Sequence, residues 1–185
     1  MVADSQVIEQ TRQWVENVVV GQNLCPFAAP VVRQNIIHYA LSQARDDETV
    51  LQDFLLELDR LQQTDESQLS TTLVIYPHAF EDFDHYLDLL SVMEALLEQA
   101  GLDGVFQLAS FHPQYLFDGV DADDRSHWTN RAPYATVHII REGEMSRALA
   151  HYKHPEQIPE RNMQLLREMS DEQARVLYPH LFENK

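Results

Sequence analysis

Cysteine is almost absent from this 185-residue chain: Cys25 is the only one. That excludes an intrachain disulfide and fits a reducing compartment. Glycine is scarce too, at five residues, and no GxGxxG, Walker or GxSxG pattern is present. A glycine-cradled nucleotide site is therefore not expected. Bases are few: 13 Lys and Arg stand against 30 Asp and Glu, for a formal net charge of −17. With no run of Lys and Arg, such a chain repels phosphate backbones and anionic membrane surfaces, so neither nucleic acid nor membrane is an expected partner. No apolar run approaches the roughly 20 residues of a membrane span. The opening MVADSQVIEQT lacks the basic region of a secretory signal. These absences predict a soluble, cytoplasmic protein. What is present is globular in composition, with 44% hydrophobic and 23% charged residues. The length suits one domain over residues 1–185.

Apolar spacing in residues 4–20 predicts a helix stopped by Gly21, followed by a proline-containing loop, GQNLCPFAAP. Residues 35–44 read as a strand. DDETVLQDFLLELDRLQQ, residues 46–63, is an amphipathic helix led by acids that suit its dipole. TTLVIYP, residues 71–77, is a strand with almost no polar interruption, as expected when both faces are covered. A second amphipathic helix covers residues 80–100 and is closed by Gly101. VFQLASF and ATVHIIR are strands separated by a long loop, and helical material follows near 144–152 and 159–174. The alternation of strands and helices predicts an α/β domain. Its sheet is expected to be small and mostly parallel, of about four strands flanked by amphipathic helices. A ferredoxin-like α+β arrangement, antiparallel with helices on one face, is the alternative.

A parallel core delivers strand carboxyl ends to one edge, where ligands bind in open α/β sheets. Two such ends carry histidines: His78 after IYP and His112 after ASF. Pro113 stiffens the exit behind His112. The loop from Pro113 to Tyr134 is long and holds Tyr115, Phe117, Trp128 and Tyr134, so an ordered cover over the strand ends is expected. His78, His112, His127 and His138, with Asp118, Asp121, Asp123 and Asp124, are the residue types of a divalent-metal site. Their spacing matches no metal motif, and the other reading is histidines hydrogen-bonded at strand ends. HYKHP sets His151 and His154 three apart, where a helix ends and histidines suit its dipole.

TNRAPYATVHIIRE, residues 129–142, gathers Asn130, Arg131, Tyr134, His138, Arg141 and Glu142 around one strand. Either arginine can grip a carboxylate or phosphate in a bidentate fork. Alternation puts His138 and Ile140 on one face and Val137, Ile139 and Arg141 on the other. Cys25, in LCPFA, is a reactive thiolate only if a cation or helix N-terminus lowers its pKa. Otherwise it packs as a small hydrophobe beside Leu24 and Phe27. Arg161 and Asn162 either pin the terminal helix or reach the site.

LCPFA, TTLVIYP, ASFHPQYLF and TNRAPYATVHIIRE occur in that order. In these segments the chain resembles a bacterial family catalogued as a domain of unknown function (the 1415 family). The likeness spans about residues 4 to 170 and includes the Arg161–Asn162 pair. The family pattern has serine where this chain has Ala132 and proline where it has Ala135. Cys25, His112, Asn130, Arg131, Tyr134, His138, Arg141 and Glu142 match the pattern. The resemblance implies no reaction, so function is read from the residues.

That reading is a small enzyme acting on an anionic small molecule at the strand carboxyl ends. His112 would serve as general acid/base or metal ligand, and Arg131 would anchor the anion, with Arg141 and Glu142 also binding substrate. Asn130 and Tyr134 would orient it. His138 is a further catalytic candidate, and Cys25 is a nucleophile or redox partner if it lies near His112. The alternatives are a non-catalytic protein that binds an anionic metabolite, or an interaction protein that docks through Trp128 and Phe117. No feature fixes an oligomeric state.

Overall fold

Four strands form one mixed sheet in the order β1-β2-β4-β3. The computed structural model describes residues 3–150 and 152–182. The strands are β1 (Ile37–Leu41), β2 (Thr71–Tyr76), β3 (Phe106–Phe111) and β4 (Ala135–Arg141). β1 and β2 are parallel, whereas β4 runs antiparallel to both of its neighbours. The expectation of a mostly parallel sheet is thus corrected: one of the three pairings is parallel. The cause is the long connection after β3, which has no crossover helix and returns β4 between β2 and β3. The ferredoxin-like alternative also differs, because helices cover both faces.

The first face is packed by α3 (Asp47–Gln63) and α4 (Phe83–Gln99). Val50, Phe54, Leu58 and Leu61 of α3 meet Tyr86, Met93 and Leu97 of α4 over Val74, Val137 and Ile139. Each fully buried side chain of this kind stabilises the fold by about 1.5–3 kcal/mol. Both helices start on an aspartate. Asp46 accepts the Thr49 N–H at 2.9 Å, and Asp82 accepts that of His85 at 2.8 Å, satisfying donors that the helix itself leaves open. Tyr86 Oη donates to Thr136 O and accepts the Phe111 N–H, at 2.8 and 3.2 Å, bridging the ends of β3 and β4.

The second face is covered from both ends of the chain. α1 (Asp4–Trp14) runs without a break into a π-helix, Val15–Val20. Gly21 follows, and a Cβ there would lie 2.2 Å from Asn17 O. The residue is glycine because the wide turn brings that carbonyl against it. The loop that follows enters α2 (Ala28–Gln34), and α5 (Glu142–Leu149), α6 (Ile158–Glu168) and α7 (Asp171–Leu177) come from the other end. Trp14, Val18, Leu24, Leu73, Leu166, Met169 and Tyr178 form this second core. The helix expected over residues 159–174 is broken at Met169–Ser170, where Ser170 and Gln173 form a capping box for α7.

The loop between β3 and β4 is ordered by side chains that bind backbone. It contains a 3-10 helix, Arg125–Asn130. Asn130 accepts the His112 N–H through its backbone oxygen and donates Nδ2 to Ser110 O at 3.0 Å. Asp124 faces Arg167 of α6 at 3.0 Å, and the Arg167 guanidinium holds its carboxyl well below the usual range. No helix among the described residues is long and apolar enough to cross a membrane.

Candidate functional site in the second face

A cavity of about 520 Å³ lies between the second face and its helices. This is within the range of small-molecule sites. Its floor is Thr71 and Leu73 of β2, Ala109 and Phe111 of β3, and His138 and Ile140 of β4. The registry explains the grouping. Ala109 and Leu73 are both Cα partners of His138, so their side chains share one face. Trp14 of α1 and Val15 and Val19 of the π-helix wall one side. Cys25, Phe27 and Val31 come from the loop and α2, and Glu144, Met145 and Ala148 from α5.

His138 is the polar centre of this floor. Thr71 Oγ1 donates its single proton to Ile139 O at 2.6 Å and lies 2.6 Å from His138 Nε2. The imidazole Nε2–H must therefore donate to Thr71, which leaves Nδ1 unprotonated and without a partner among the described residues. Burial pushes the His138 pKa down to about 4, so the ring is neutral near pH 7 and offers a lone pair.

Cys25 lines the same cavity and is half-buried. Burial pushes its thiol pKa up, partly offset by the backbone N–H groups of Phe27 and Ala28. It is a resting thiol rather than a thiolate. Its loop is held from α6: Asn162 Nδ2 donates to Leu24 O at 2.6 Å, and Arg161 donates to Asn23 O. The Arg161–Asn162 pair thus pins the terminal helix to the loop that forms the cavity wall.

Arg141 borders the cavity, but its guanidinium is occupied. Nη2 donates to Leu61 O and Thr64 O at 2.5 and 2.6 Å, and Nε and Nη2 both reach Leu69 O. It caps carbonyls at the carboxyl end of α3. Glu144 accepts the Ser70 hydroxyl at 2.9 Å, with Arg141 Nε 4.0 Å away. Burial raises its pKa.

The remaining sequence candidates lie elsewhere. The His112 ring packs on Phe83 and Tyr86 of the first face, opposite to Cys25. Its Nδ1 accepts the Gln114 N–H at 3.1 Å and its Nε2 meets Phe80 O at 3.2 Å. Both ring nitrogens are engaged by backbone, and burial lowers the pKa. His127 is engaged in the same way, by Phe117 N–H and Asp121 O. Tyr134 donates to Gln10 of α1. Arg131 donates Nε to Tyr115 O at 3.0 Å; among the described residues no carboxylate pairs with it, and burial lowers its pKa. Glu142 starts α5, and its N–H donates to Val105 O at 3.0 Å. It borders a separate groove with Glu94, Glu98 and Asp103. So of the eight candidates, Cys25, His138 and Arg141 share a cavity, and His112, Asn130, Arg131, Tyr134 and Glu142 do not line it. Among the described residues no three His, Cys, Asp or Glu side chains are grouped as a cation site requires. His154 of the HYKHP pair is exposed and faces Glu156 at 3.1 Å, and His151 lies outside the described residues.

Sequence reasoning missed Trp14, Thr71 and Glu144. Thr71 carried a signal, since a threonine opening an apolar strand is a hydrogen-bonding group beside a buried face. Glu144 carried a weaker one, three residues after Arg141 at the start of a helix. Comparison with known proteins gives a family and no activity. Residues 6–176 match a family described as "Protein of unknown function (DUF1415)". No curated protein and no solved structure matches the chain.

Proposed function

Since the chain belongs to the DUF1415 family of unknown function, its role is read from its cavity, and we propose that it binds a largely apolar small molecule against the second face of the sheet. The observation that carries this reading is the cavity of about 520 Å³, walled by apolar side chains and floored by a neutral His138 with a free Nδ1. Apolar walls supply affinity through area removed from water. A single acceptor on the floor supplies orientation. Arg141, expected from the sequence to grip an anion, has its donors on backbone carbonyls. That favours a ligand without an anionic group at this end.

The test uses Trp14, which lines the cavity, as reporter. In a Trp128→Phe variant, 4-phenylbutanol should change Trp14 fluorescence saturably and raise the melting temperature. Ala109→Phe, which fills the floor, should remove both responses and leave the protein folded. A response that survives Ala109→Phe would place the ligand elsewhere.

An enzymatic role is a second reading, favoured because Cys25 and His138 line one cavity. The Cys25 sulfur would attack an ester carbonyl carbon as His138 Nδ1 takes the thiol proton; the ester C–O bond would then break and His138 would return that proton to the departing alkoxide, leaving a thioester on Cys25. An ester such as 4-nitrophenyl hexanoate would then acylate Cys25, seen as a mass increase that Cys25→Ser and His138→Gln both remove. Absence of the adduct removes this second reading.

A further inference from the structure

The polar groups that border the cavity are strongly unequal in kind. Three hydroxyls line it, and each already donates within the protein: Ser67 to Asp65, Ser70 to Glu144 and Thr71 to Ile139 O. The Arg141 guanidinium gives Nε and Nη2 to three backbone carbonyls. On the floor and on α5, two acceptors are left over. One is His138 Nδ1; the other is Glu144 Oε1, since the Ser70 bond and the distant Arg141 contact are both made to Oε2. The second carboxylate on the lining, Glu66, is held by Arg147 Nη2 at 2.7 Å to each oxygen. The lining also holds donors, since Trp14 Nε1–H is buried without a partner among the described residues and the bonds of Arg141 run from Nε and Nη2, so charge is what distinguishes the occupant: two carboxylates, Glu66 and Glu144, line the cavity against one guanidinium, Arg141. One of the two acceptors carries a negative charge that a 4.0 Å contact only partly offsets, in a setting where burial already strains that charge.

We infer that the ligand of this cavity is an apolar organic cation, a molecule whose hydrophobic body fills the pocket and whose protonated amine sits at Glu144. This rests on the cavity reading above and names its ligand class. The ammonium supplies up to three donors and the charge that Glu144 lacks. Trp14, Phe27 and Phe111 give walls whose ring faces tolerate a cation as well as an alkyl chain. An alcohol of equal shape meets the same acceptors without the charge. A carboxylate brings a second negative charge and no donor.

The experiment is titration calorimetry of the full chain with 4-phenylbutylamine, 4-phenylbutanol and 4-phenylbutyrate. The amine is expected to bind about tenfold more tightly than the alcohol, with no measurable binding of the carboxylate. Glu144→Gln, which retains the Ser70 contact, should bring the amine to the level of the alcohol. Glu94→Gln, in the separate acidic groove, should change neither, which separates the site from the general attraction of a chain with net charge −17. Equal binding of amine and alcohol by the unsubstituted protein overturns the inference even if Glu144→Gln fails to fold. So does tightest binding by the carboxylate, or an amine preference that Glu94→Gln weakens as much as Glu144→Gln does. Binding of the amine and alcohol that persists in Ala109→Phe defeats the cavity reading itself.

Discussion

The two faces of the sheet are built from the same four strands and finished in opposite ways. On the first face, α3 and α4 set down two regular apolar stripes, and Phe54, Leu61 and Met93 are fully enclosed. On the second face, a π-turn, a short helix and a loop cover the strands, and a cavity of about 520 Å³ remains. Regular helices of matched length interdigitate with a sheet. Irregular elements leave room, and the room is where His138, Cys25 and Glu144 are found together. Both faces carry a buried core, and the second also holds the cavity on which the proposed binding role rests.

The largest expected effect tests that division. Phe54→Ala on the filled face should cost about 3–5 kcal/mol, because the removed ring leaves a void that close-packed neighbours cannot close. Ile140→Ala, on the cavity floor, should cost only about 1 kcal/mol, because its neighbours on one side are already absent. Urea denaturation of the two variants measures both. Equal losses would mean that the second face is packed in solution.

An intermediate effect sharpens the comparison through pH. Burial depresses the pKa of His138 and of His180 from 6.5 to about 4. The unfolded chain takes up these protons near pH 6.5, and the folded chain resists until about pH 4. Their contribution is therefore complete above about pH 6.5 and is lost as the pH falls through 6.5 toward 4. Glu144 acts in the other direction, since burial raises its pKa and the folded state holds its proton more readily. The urea midpoint should fall across this window, and His138→Gln should make the fall shallower. An unchanged slope in that variant would show that the His138 ring meets water freely.

Much of the fold was readable because its elements obey simple periods. The α3 and α4 stripes, the acids that lead α3, and the apolar TTLVIY strand each follow from spacing. Strand alternation also placed His138 and Ile140 on one face and Val137, Ile139 and Arg141 on the other; the first four are as expected, whereas Arg141, at the end of β4, also borders the cavity on the His138 face. The antiparallel return of β4 was not readable, because the connection before it is a loop and carries no handedness. The site was half readable. Cys25, His138 and Arg141 were singled out as residue types, but nothing in their spacing says that a π-helix would hollow the face above them. His112 stood out for the same place in the chain that engages its ring. A histidine between strand and proline has backbone groups on every side, and Gln114 N–H and Phe80 O take both of its nitrogens.

The smallest effect concerns Cys25, where the two faces differ in access rather than in energy. A cysteine on the filled face would be closed to reagents in the folded state. Cys25 borders the cavity, so a small alkylating agent can reach it, but burial raises its pKa and keeps it a thiol near neutral pH. Iodoacetamide should therefore modify folded Cys25 slowly at pH 7, well below the rate in urea, and the rate should rise only above the ordinary thiol range. The amine that fills the cavity should slow it further by occupying the approach. The measurement is the mass of the intact protein against time, with and without 4-phenylbutylamine. Modification as fast as in urea would show that the wall formed by Leu24 to Phe27 opens freely. Modification that the amine leaves unchanged would put the ligand away from Cys25, and would confine its seat to the end of the cavity near Glu144.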